Sequence, residues 1–351
     1  MSETLKIDKL CAAYDGESVI EDLSLVLNKG NVACLLGPSG SGKTTLLRCI
    51  AGLTKPAKGR ISLGEVLLSE PGYHLPPESR RIGMVFQEPA LFPHLNLKEN
   101  VFFGLKSSQT LTEKFEELTD ILALQKLEKR YPHQLSGGQK QRVSLGRALI
   151  RSPDLLLMDE PFSHLDSHIK QSLIAQMSKA VRETNTTTLV ITHSKEDAFD
   201  LADQVGILLQ KRILHWGSCE SLYQSPSHID VAGFMGMTRF ITGEVNGKMV
   251  SCSLGDFEHQ SDLPLQGVVK IHVNPGQIRV SKPESMEGNG VVSKVLYRGT
   301  HYLADILLKN EESVTALFPV SDWISNNMME PGTQVTVQLN LRHLLVFPLS
   351  K

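Results

Sequence analysis

A glycine-rich segment between an apolar run and a helical stretch constrains the fold more than any other feature of this sequence. The apolar run is Val32–Leu36, and the helical stretch covers residues 44–51. A short run without alternation fits a strand buried on both faces, and strand, tight loop and helix in that order open an α/β unit. Similar runs stand at 155–158, 188–192 and 205–209. The sequence therefore predicts an α/β domain built on a largely parallel sheet.

The loop between that run and the helix matches the pattern G-x-x-x-x-G-K-[ST] at every position. Its glycines let successive backbone N–H groups point into one concavity, and the start of a helix adds partial positive charge, so phosphate oxygens are favoured there. The lysine of this pattern reaches the β- and γ-phosphates, and the following hydroxyl is a ligand of Mg²⁺. The alternative is an ordinary Gly/Ser turn that caps a helix. A match at every position of the pattern, between a predicted strand and a predicted helix, argues against that alternative. The candidate nucleotide-binding residues are Gly37, Pro38, Ser39, Gly40, Ser41, Gly42, Lys43, Thr44 and Thr45.

A change of pattern near residue 236 divides the chain into two predicted domains. Short alternating stretches, punctuated by Gly, Pro and Asn, take over after that point. Such stretches are typical of a small β-barrel rather than of strands joined by helices. We therefore predict an α/β domain at 1–235, with a helical subdomain at about 88–154, and an all-β domain at 236–351.

Two helices are predicted within the helical subdomain. Residues 111–130 carry apolar side chains at a spacing of three to four, and Pro132 follows them. Residues 139–151 form the second predicted helix, which is entered through a Ser-Gly-Gly turn.

The composition narrows the class of protein. The chain has 351 residues, with 36 Lys and Arg against 38 Asp and Glu, so it lacks the basic surplus of a nucleic-acid binder. Its five cysteines are scattered without a C-x-x-C pair, which argues against a disulfide framework or a zinc site and fits a reducing cytosol. We read no signal peptide, and no apolar run approaches the roughly 20 residues that cross a bilayer. If the protein works at a membrane, we expect it to act through other chains.

A second glycine-containing motif, taken together with the phosphate loop, indicates a family. Leu135-Ser136-Gly137-Gly138-Gln139 opens a predicted helix about 90 residues after the loop. Alone it would be a common N-cap. Together with the phosphate loop it resembles the signature of the ATP-binding-cassette (ABC) ATPases, over about residues 5–235. The resemblance implies that Ser136, Gly137, Gly138 and Gln139 bind the ATP of a second subunit, head to tail.

The resemblance also implies roles for an acidic pair. The run at 155–158 ends in Asp159-Glu160, which looks like the Walker B motif of the family. Asp159 would then hold Mg²⁺ through water, and Glu160 would polarise the attacking water. An acidic pair after a buried strand is also where α/β sheets place ligands. A glutamate that merely caps a helix is the alternative.

Other positions match the family one residue at a time. Gln87 matches the Q-loop glutamine, which would contact Mg²⁺ and water; His193 matches the switch histidine; and Tyr14 matches the aromatic residue that stacks on adenine. Without the resemblance to the family, Gln87 would be interpreted as a polar residue after a strand, His193 as a polar cap of a strand end, and Tyr14 as an aromatic residue of the core. Ser163-His164-Leu165-Asp166 resembles the D-loop, where His164 departs from the usual small residue.

Three branches of this superfamily are possible interpretations of the sequence: an importer ATPase, a ribosome-acting ATPase and a chromosome- or repair-type ATPase. A ribosome-acting ATPase carries two cassettes and a repair ATPase inserts a long coiled coil, whereas this chain has one loop and one signature with no heptads between them. An exporter is fused to membrane helices. The remaining branch is the importer ATPase with a C-terminal transport-associated, OB-like barrel. Residues 274–277 depart from the Arg-Pro-Glu usual in that barrel, which leaves its role open between regulation and a purely structural dimerisation module.

The importer resemblance implies a peripheral protein on the cytoplasmic face of the bacterial inner membrane. Two copies would bind transmembrane permease subunits through residues 87–105, and a periplasmic or surface solute-binding protein would deliver the solute. Stretches such as 91–95 and 130–135 resemble ferric-iron importers most. Polyamine, sulfate and phosphonate importers remain alternatives, as does, less favoured, a non-transport ABC ATPase.

Overall fold

The computed structural model describes residues 3–14, 16–106, 108–163, 167–259, 265–283, 288–321, 330–340 and 344–348. The chain separates into two compact units, Met1–Leu222 and Tyr223–Lys351. Across the described part, no helix is both long and apolar enough to cross a bilayer.

A six-stranded sheet forms the centre of the first unit. Its strand order is β11-β10-β3-β9-β8-β7, parallel except for β11, which pairs antiparallel with β10. The strands are β3 (Val32–Leu36), β7 (Ile82–Val85), β8 (Leu155–Asp159), β9 (Thr187–Ile191), β10 (Gln204–Leu209) and β11 (Arg212–Gly217). The continuous apolar runs are buried, as expected for a sheet covered on both faces. The four strands predicted from those runs are confirmed.

An antiparallel sheet covers one side of this centre. Its order is β2-β1-β4-β5-β6, and its strands are β1 (Glu3–Tyr14), β2 (Glu17–Asn28), β4 (Lys58–Leu63), β5 (Val66–Glu70) and β6 (Tyr73–His74). Helix α1 (Lys43–Ala51) shares one apolar core with both sheets through Leu46, Leu47 and Ile50. The helix after the phosphate loop is therefore held between two sheets.

The helices of the first unit lie mainly between β7 and β8 and after β8. They are α2 (Leu97–Phe102), α3 (Gln109–Ile121), α4 (Gly137–Leu149), α5 (Ser167–Glu183) and α6 (Lys195–Leu201). Further on, α7 (Cys219–Gln224) and α8 (Ile229–Phe234) follow β11. Short 3₁₀ turns occur at Pro77–Ser79, Pro132–Gln134 and Pro275–Gln277.

The predicted helix at 111–130 is too long. Helix α3 ends at Ile121, because Ala123 and Lys126 adopt left-handed backbone angles, with φ of 48° and 66°. Arg142 Nη1 donates to Leu122 O at 3.0 Å and satisfies a carbonyl at that end. The second predicted helix is confirmed as α4, which begins two residues earlier than expected.

After α8, the described part of the second unit is a barrel of β-strands, as predicted for the C-terminal domain. Its two five-stranded sheets have the orders β14-β13-β12-β15-β21 and β16-β20-β17-β18-β19. One apolar core joins them, through residues such as Ile241, Ile271, Ile306 and Val337. The strands are β12 (Phe240–Gly247), β13 (Met249–Cys252), β14 (Gly255–Glu258), β15 (Leu265–His272), β16 (Ile278–Ser281), β17 (Gly290–Tyr297), β18 (His301–Leu308), β19 (Ser313–Pro319), β20 (Gln334–Leu339) and β21 (Leu345–Pro348).

Candidate nucleotide site

The candidate site lies at the carboxyl edge of the parallel sheet. The phosphate loop follows β3, Gln87 comes two residues after β7, Asp159-Glu160 stands at the end of β8, and His193 comes two residues after β9. Because parallel strands end at the same edge, residues more than a hundred positions apart in sequence meet there. The chain thus gathers the predicted phosphate-binding, acidic and histidine positions in one region.

The phosphate loop has the backbone that its glycines predict. Gly42 is the N-cap of α1 at φ 101°, and a Cβ there would stand 2.7 Å from Val19 O. Lys43 is 5% exposed, and its Nζ donates to Gly37 O at 2.9 Å and to Pro38 O at 2.8 Å. Burial lowers the pKa of Lys43, against the opposing effect of the nearby carboxylates. The ammonium is therefore fixed at the loop, beside the start of a helix.

The acidic pair faces this loop. Thr44 Oγ1 donates to Asp159 Oδ1 at 3.4 Å, which brings a hydroxyl and a carboxylate oxygen together. Burial, followed by the neighbouring charge of Glu160, raises the pKa of Asp159, while the hydrogen bond from Thr44 and the charges of Arg48 and Lys43 act in the opposite direction. A cation bound between Thr44 and Asp159 would relieve this unfavourable burial of negative charge.

Glu160 and His193 are in direct contact. His193 Nδ1 lies 3.2 Å from Glu160 Oε2. Glu160 has a left-handed backbone with φ 43°, and its N–H donates to Ile191 O at 2.9 Å, which ties the residue to β9. Ser163 Oγ also donates to Glu160 O at 2.8 Å. Non-glycine residues in this region of φ store strain and cluster at functional sites.

The signature segment forms the N-terminus of α4. Ser136 is the N-cap: its Oγ accepts from Gln139 N at 3.3 Å, and Gln139 Oε1 accepts from Ser136 N at 2.9 Å. Ser136 and Gly137 are exposed. Among the described residues, no hydrogen bond joins this segment to the phosphate loop of the same chain. The helix therefore begins at an exposed position, where a ligand held by another molecule could reach it.

Two predicted elements fall wholly or partly outside the described residues. Tyr14 ends β1, but its side chain lies outside them, and so do His164, Leu165 and Asp166 of the D-loop. Gln87 is described and exposed, and it directly follows Phe86, whose carbonyl accepts from Gln141 Nε2 of α4 at 3.3 Å. That bond links the Q-loop to the signature helix.

A groove of about 620 Å³ lies beside the Q-loop, where β7, the segment 90–103 and the end of α4 meet. Its lining includes Phe92 and Phe103, whose ring centroids are 4.1 Å apart, and Arg147, whose Cζ is 5.6 Å from the Phe92 centroid. Asn100 is fully buried and fixes the loop: it accepts from Phe92 N and donates to the carbonyls of Phe92, Leu95 and Asn96. The sequence interpretation missed Asn100, although the Asn96-x-x-Glu99 capping box marked the helix that carries it.

Comparison with known proteins decides the family. The model of the ABC transporter family matches residues 20–163, and that of the TOBE domain matches residues 271–347. The chain is 36% identical over 304 residues to the Fe(3+) ions import ATP-binding protein FbpC 2 of Haemophilus influenzae, with 84% of this chain and 85% of that protein covered. It belongs to the ABC transporter family.

Two further comparisons extend this result. The spermidine/putrescine import ATP-binding protein PotA of Marinobacter nauticus is 35% identical over 333 residues, covering 90% of this ABC protein and 88% of PotA. A solved dimeric ATP-binding cassette in a post-hydrolysis state, bound to ADP and Pi, is 27% identical with a TM-score of 0.53, covering 61% of this chain and 98% of that one. The predicted fold class and the predicted class of enzyme, a transport ATPase of this family, are confirmed.

Proposed function

We propose that this chain is the ATP-hydrolysing subunit of a bacterial ABC importer, and that ferric iron is its solute. One observation supports the proposal of an ATP-hydrolysing subunit: five side chains that suit ATP hydrolysis meet at one edge of the sheet, namely Lys43, Thr44, Asp159, Glu160 and His193. The same chain also has an exposed signature helix. We propose the functional division at residue 235, with nucleotide chemistry in 1–235.

Each residue at this edge has a role that suits its position. The loop N–H groups and Lys43 bind the phosphates. Glu160 accepts a proton from the attacking water, and its contact with His193 Nδ1 holds the carboxylate in place. Gln87, at the end of the neighbouring strand, adds a neutral amide that can contact the same water without adding charge. Tyr14 stacks on the adenine.

The donor set also suits Mg²⁺. Hydroxyl and carboxylate oxygens are the ligands that this ion prefers, and Thr44 Oγ1 and Asp159 Oδ1 lie 3.4 Å apart. Thr44 would hold the ion directly, Asp159 through water, and the amide oxygen of Gln87 would complete the set. When bound, Mg²⁺ neutralises charge on the β- and γ-phosphates.

We propose that two chains form two ATP sites head to tail. The signature helix begins at an exposed end that does not bond to its own phosphate loop, so it is available to the nucleotide of a partner. Because one chain carries both half-sites, a symmetric pair closes with two equivalent sites. The dimeric cassette with which the chain shares its fold supports this arrangement.

The groove at Phe92 is the proposed docking site for the permease. It lies next to Gln87, its exposed aromatic ring is Phe103 at 48% exposure, and buried Asn100 holds the loop in shape. A groove whose lining combines apolar side chains with arginines such as Arg81, Arg147 and Arg151 suits an apolar helix that ends in carbonyl groups. Docking there would place the chain on the cytoplasmic face of the inner membrane, with a solute-binding protein on the other side.

The solute is proposed from the relatives. Proteins named for ferric-iron import match at 34–38% identity over most of the chain, and a polyamine protein matches at 35%. Labelled ferric iron and labelled spermidine should be offered to a strain that lacks this chain, complemented with wild type or with Glu160→Gln. We expect iron uptake to be lost and restored by the wild type alone. Normal iron uptake with lost spermidine uptake would move the proposal to polyamines, and loss of neither would contradict both.

A further inference from the structure

Arg80 is a buried arginine whose guanidinium is almost fully occupied by hydrogen bonds. It is 5% exposed. Nη1 donates to Cys49 O at 3.0 Å and to Ile50 O at 2.6 Å, and these are carbonyls of the last turn of α1. Nε donates to Leu75 O at 2.8 Å. The side chain therefore donates to the Ile50 carbonyl at the end of α1 and gives the Cys49 carbonyl a second donor, beside Gly52 N at 3.2 Å.

The other side of the guanidinium bonds to the antiparallel sheet. Nη2 donates to Leu68 O at 3.0 Å and to Ser69 Oγ at 2.9 Å, both on β5. Gly52, the C-cap of α1, makes room for the group, since a Cβ there would stand 2.6 Å from Arg80 Nε and φ is 85°. One side chain thus joins the end of α1 to β5.

The charge of Arg80 is balanced by dipoles rather than by an anion. Among the described residues, no carboxylate bonds to the guanidinium, and burial lowers the pKa of Arg80. A cation at the carboxyl end of a helix is favourable, and the planar fork of arginine reaches several acceptors in directions that lysine cannot. The chain keeps a costly buried cation where it bonds to two elements at once.

The two ends of this connection are functional positions. Arg80 stands two residues before β7, the strand that leads to Gln87, and it lines the groove at Phe92. Helix α1 carries Lys43 and Thr44 at its opposite end, about 14 Å away along a helix of nine residues. A short helix held between two sheets moves as one body, so its carboxyl end sets where Lys43 and Thr44 lie.

We propose that Arg80 is a positioning residue for ATP hydrolysis: by fixing the end of α1 to β5 and to the groove wall, it sets Lys43 and Thr44 against the reacting phosphate. The link to the groove rests on the proposed function. Lys43 and Thr44 act on the phosphates where charge develops during the reaction, so a small displacement of both should affect the transition state more than the bound nucleotide. A displacement of about 1 Å can lower a rate by about 100-fold.

The test compares kcat and KM for ATP in the isolated full-length chain. Arg80→Lys keeps the charge but cannot make the same set of bonds, and we expect kcat to fall about 10- to 100-fold with KM changed less than about threefold. Ser69→Ala removes one acceptor of Arg80, together with the contact between Ser69 Oγ and His74 Nδ1 at 3.1 Å, and should lower kcat in the same direction by a smaller factor. Arg60→Lys is the matched control, since Arg60 lies on the same sheet with a side chain that is 60% exposed.

Unchanged kcat in folded Arg80→Lys and Ser69→Ala proteins would overturn the proposal. So would a loss of kcat that is matched by an equal loss of ATP affinity and of melting temperature, because that is the effect of general destabilisation. If Arg80→Lys does not fold, the Ser69→Ala result decides by the same criterion. A wild-type chain that hydrolyses no ATP would contradict the proposed function instead.

Discussion

His193 Nδ1 lies 3.2 Å from Glu160 Oε2, although the two residues are separated by a helix and a strand in the chain. The contact exists because β8 and β9 are parallel neighbours and each residue follows its strand directly or nearly so. The backbone bond from Glu160 N to Ile191 O strengthens the same junction. The proposed base is therefore oriented by the strand that carries its histidine partner.

Glu160→Gln should retain ATP binding and lose hydrolysis. The amide has nearly the same shape as the carboxylate but cannot accept a proton, and removal of a general base costs about 10²–10⁴ in rate, or roughly 3–5 kcal/mol of barrier. Phosphate release and binding of labelled ATP should be measured on the same preparation. Wild-type turnover in the variant would show that Glu160 is not the base.

Asp159→Asn should stabilise the nucleotide-free protein while it abolishes hydrolysis. The pKa of Asp159 is raised by burial and by Glu160, so the folded state disfavours its charge, and this residue's contribution to stability is lost as pH rises from its ordinary pKa through the raised one. Asn removes that cost and can still accept from Thr44.

Thermal unfolding without nucleotide measures this effect. Near neutral pH we expect the melting temperature of Asp159→Asn to exceed that of wild type by about 1–4 °C. The difference should shrink as the pH is lowered below the ordinary pKa of aspartate, where the carboxyl is protonated and both proteins carry no charge at this position. A variant that melts below wild type at neutral pH would refute the assigned cause.

Phe92→Asp should weaken attachment to the membrane subunits and spare ATP binding. It places a charge in the groove, beside Phe103 and away from the phosphate loop. Leu95→Asp tests the neighbouring turn. Val66→Asp is the control, because it also replaces an apolar side chain by a carboxylate, and Val66 lies on β5 with 55% of its surface exposed. Co-purification with membrane subunits is the measurement, and equal recovery of Phe92→Asp and Val66→Asp would argue against docking at the groove.

Tyr14→Ala should weaken ATP binding about 5- to 150-fold, because stacking of a base on an aromatic ring contributes about 1–3 kcal/mol. Tyr14→Trp should keep the affinity. Fluorescence titration with a nucleotide analogue measures both. Normal affinity in the alanine variant would identify Tyr14 as a packing residue.

The sequence predicted which residues lie together wherever a motif combined with a strand end. The glycine loop, the acidic pair and His193 follow buried apolar runs, so strand direction alone brings them to one edge. Side-chain networks were not predictable in this way. Arg80 and Asn100 satisfy carbonyls supplied by several segments, and no local pattern reports which distant carbonyls a buried side chain meets.

Boundaries that depend on backbone angles were also missed. Helix α3 ends at Ile121, where composition favoured a helix to residue 130, because Ala123 and Lys126 take left-handed angles that tertiary bonds such as the one from Arg142 support. Apolar periodicity reports which face of a helix is buried, but residues with high helix propensity occur in turns as well. The antiparallel sheet beside α1 lacked a comparable sequence signal.

The central claim is that each ATP is shared by the phosphate loop of one chain and the signature of another. Lys43→Ala and Ser136→Arg each destroy one half-site and leave the other intact. Both variants should be made in a Glu160→Gln background, which stalls hydrolysis, and occluded ATP should be counted for each alone and for the mixture.

In the mixed dimer, head-to-tail pairing places both lesions in one site and leaves the other site whole. Mixing the two variants should therefore restore one occluded ATP in each mixed dimer, while either variant alone retains none. If each chain used its own signature, every site would keep a lesion, and a mixture that occludes no ATP would contradict the shared site.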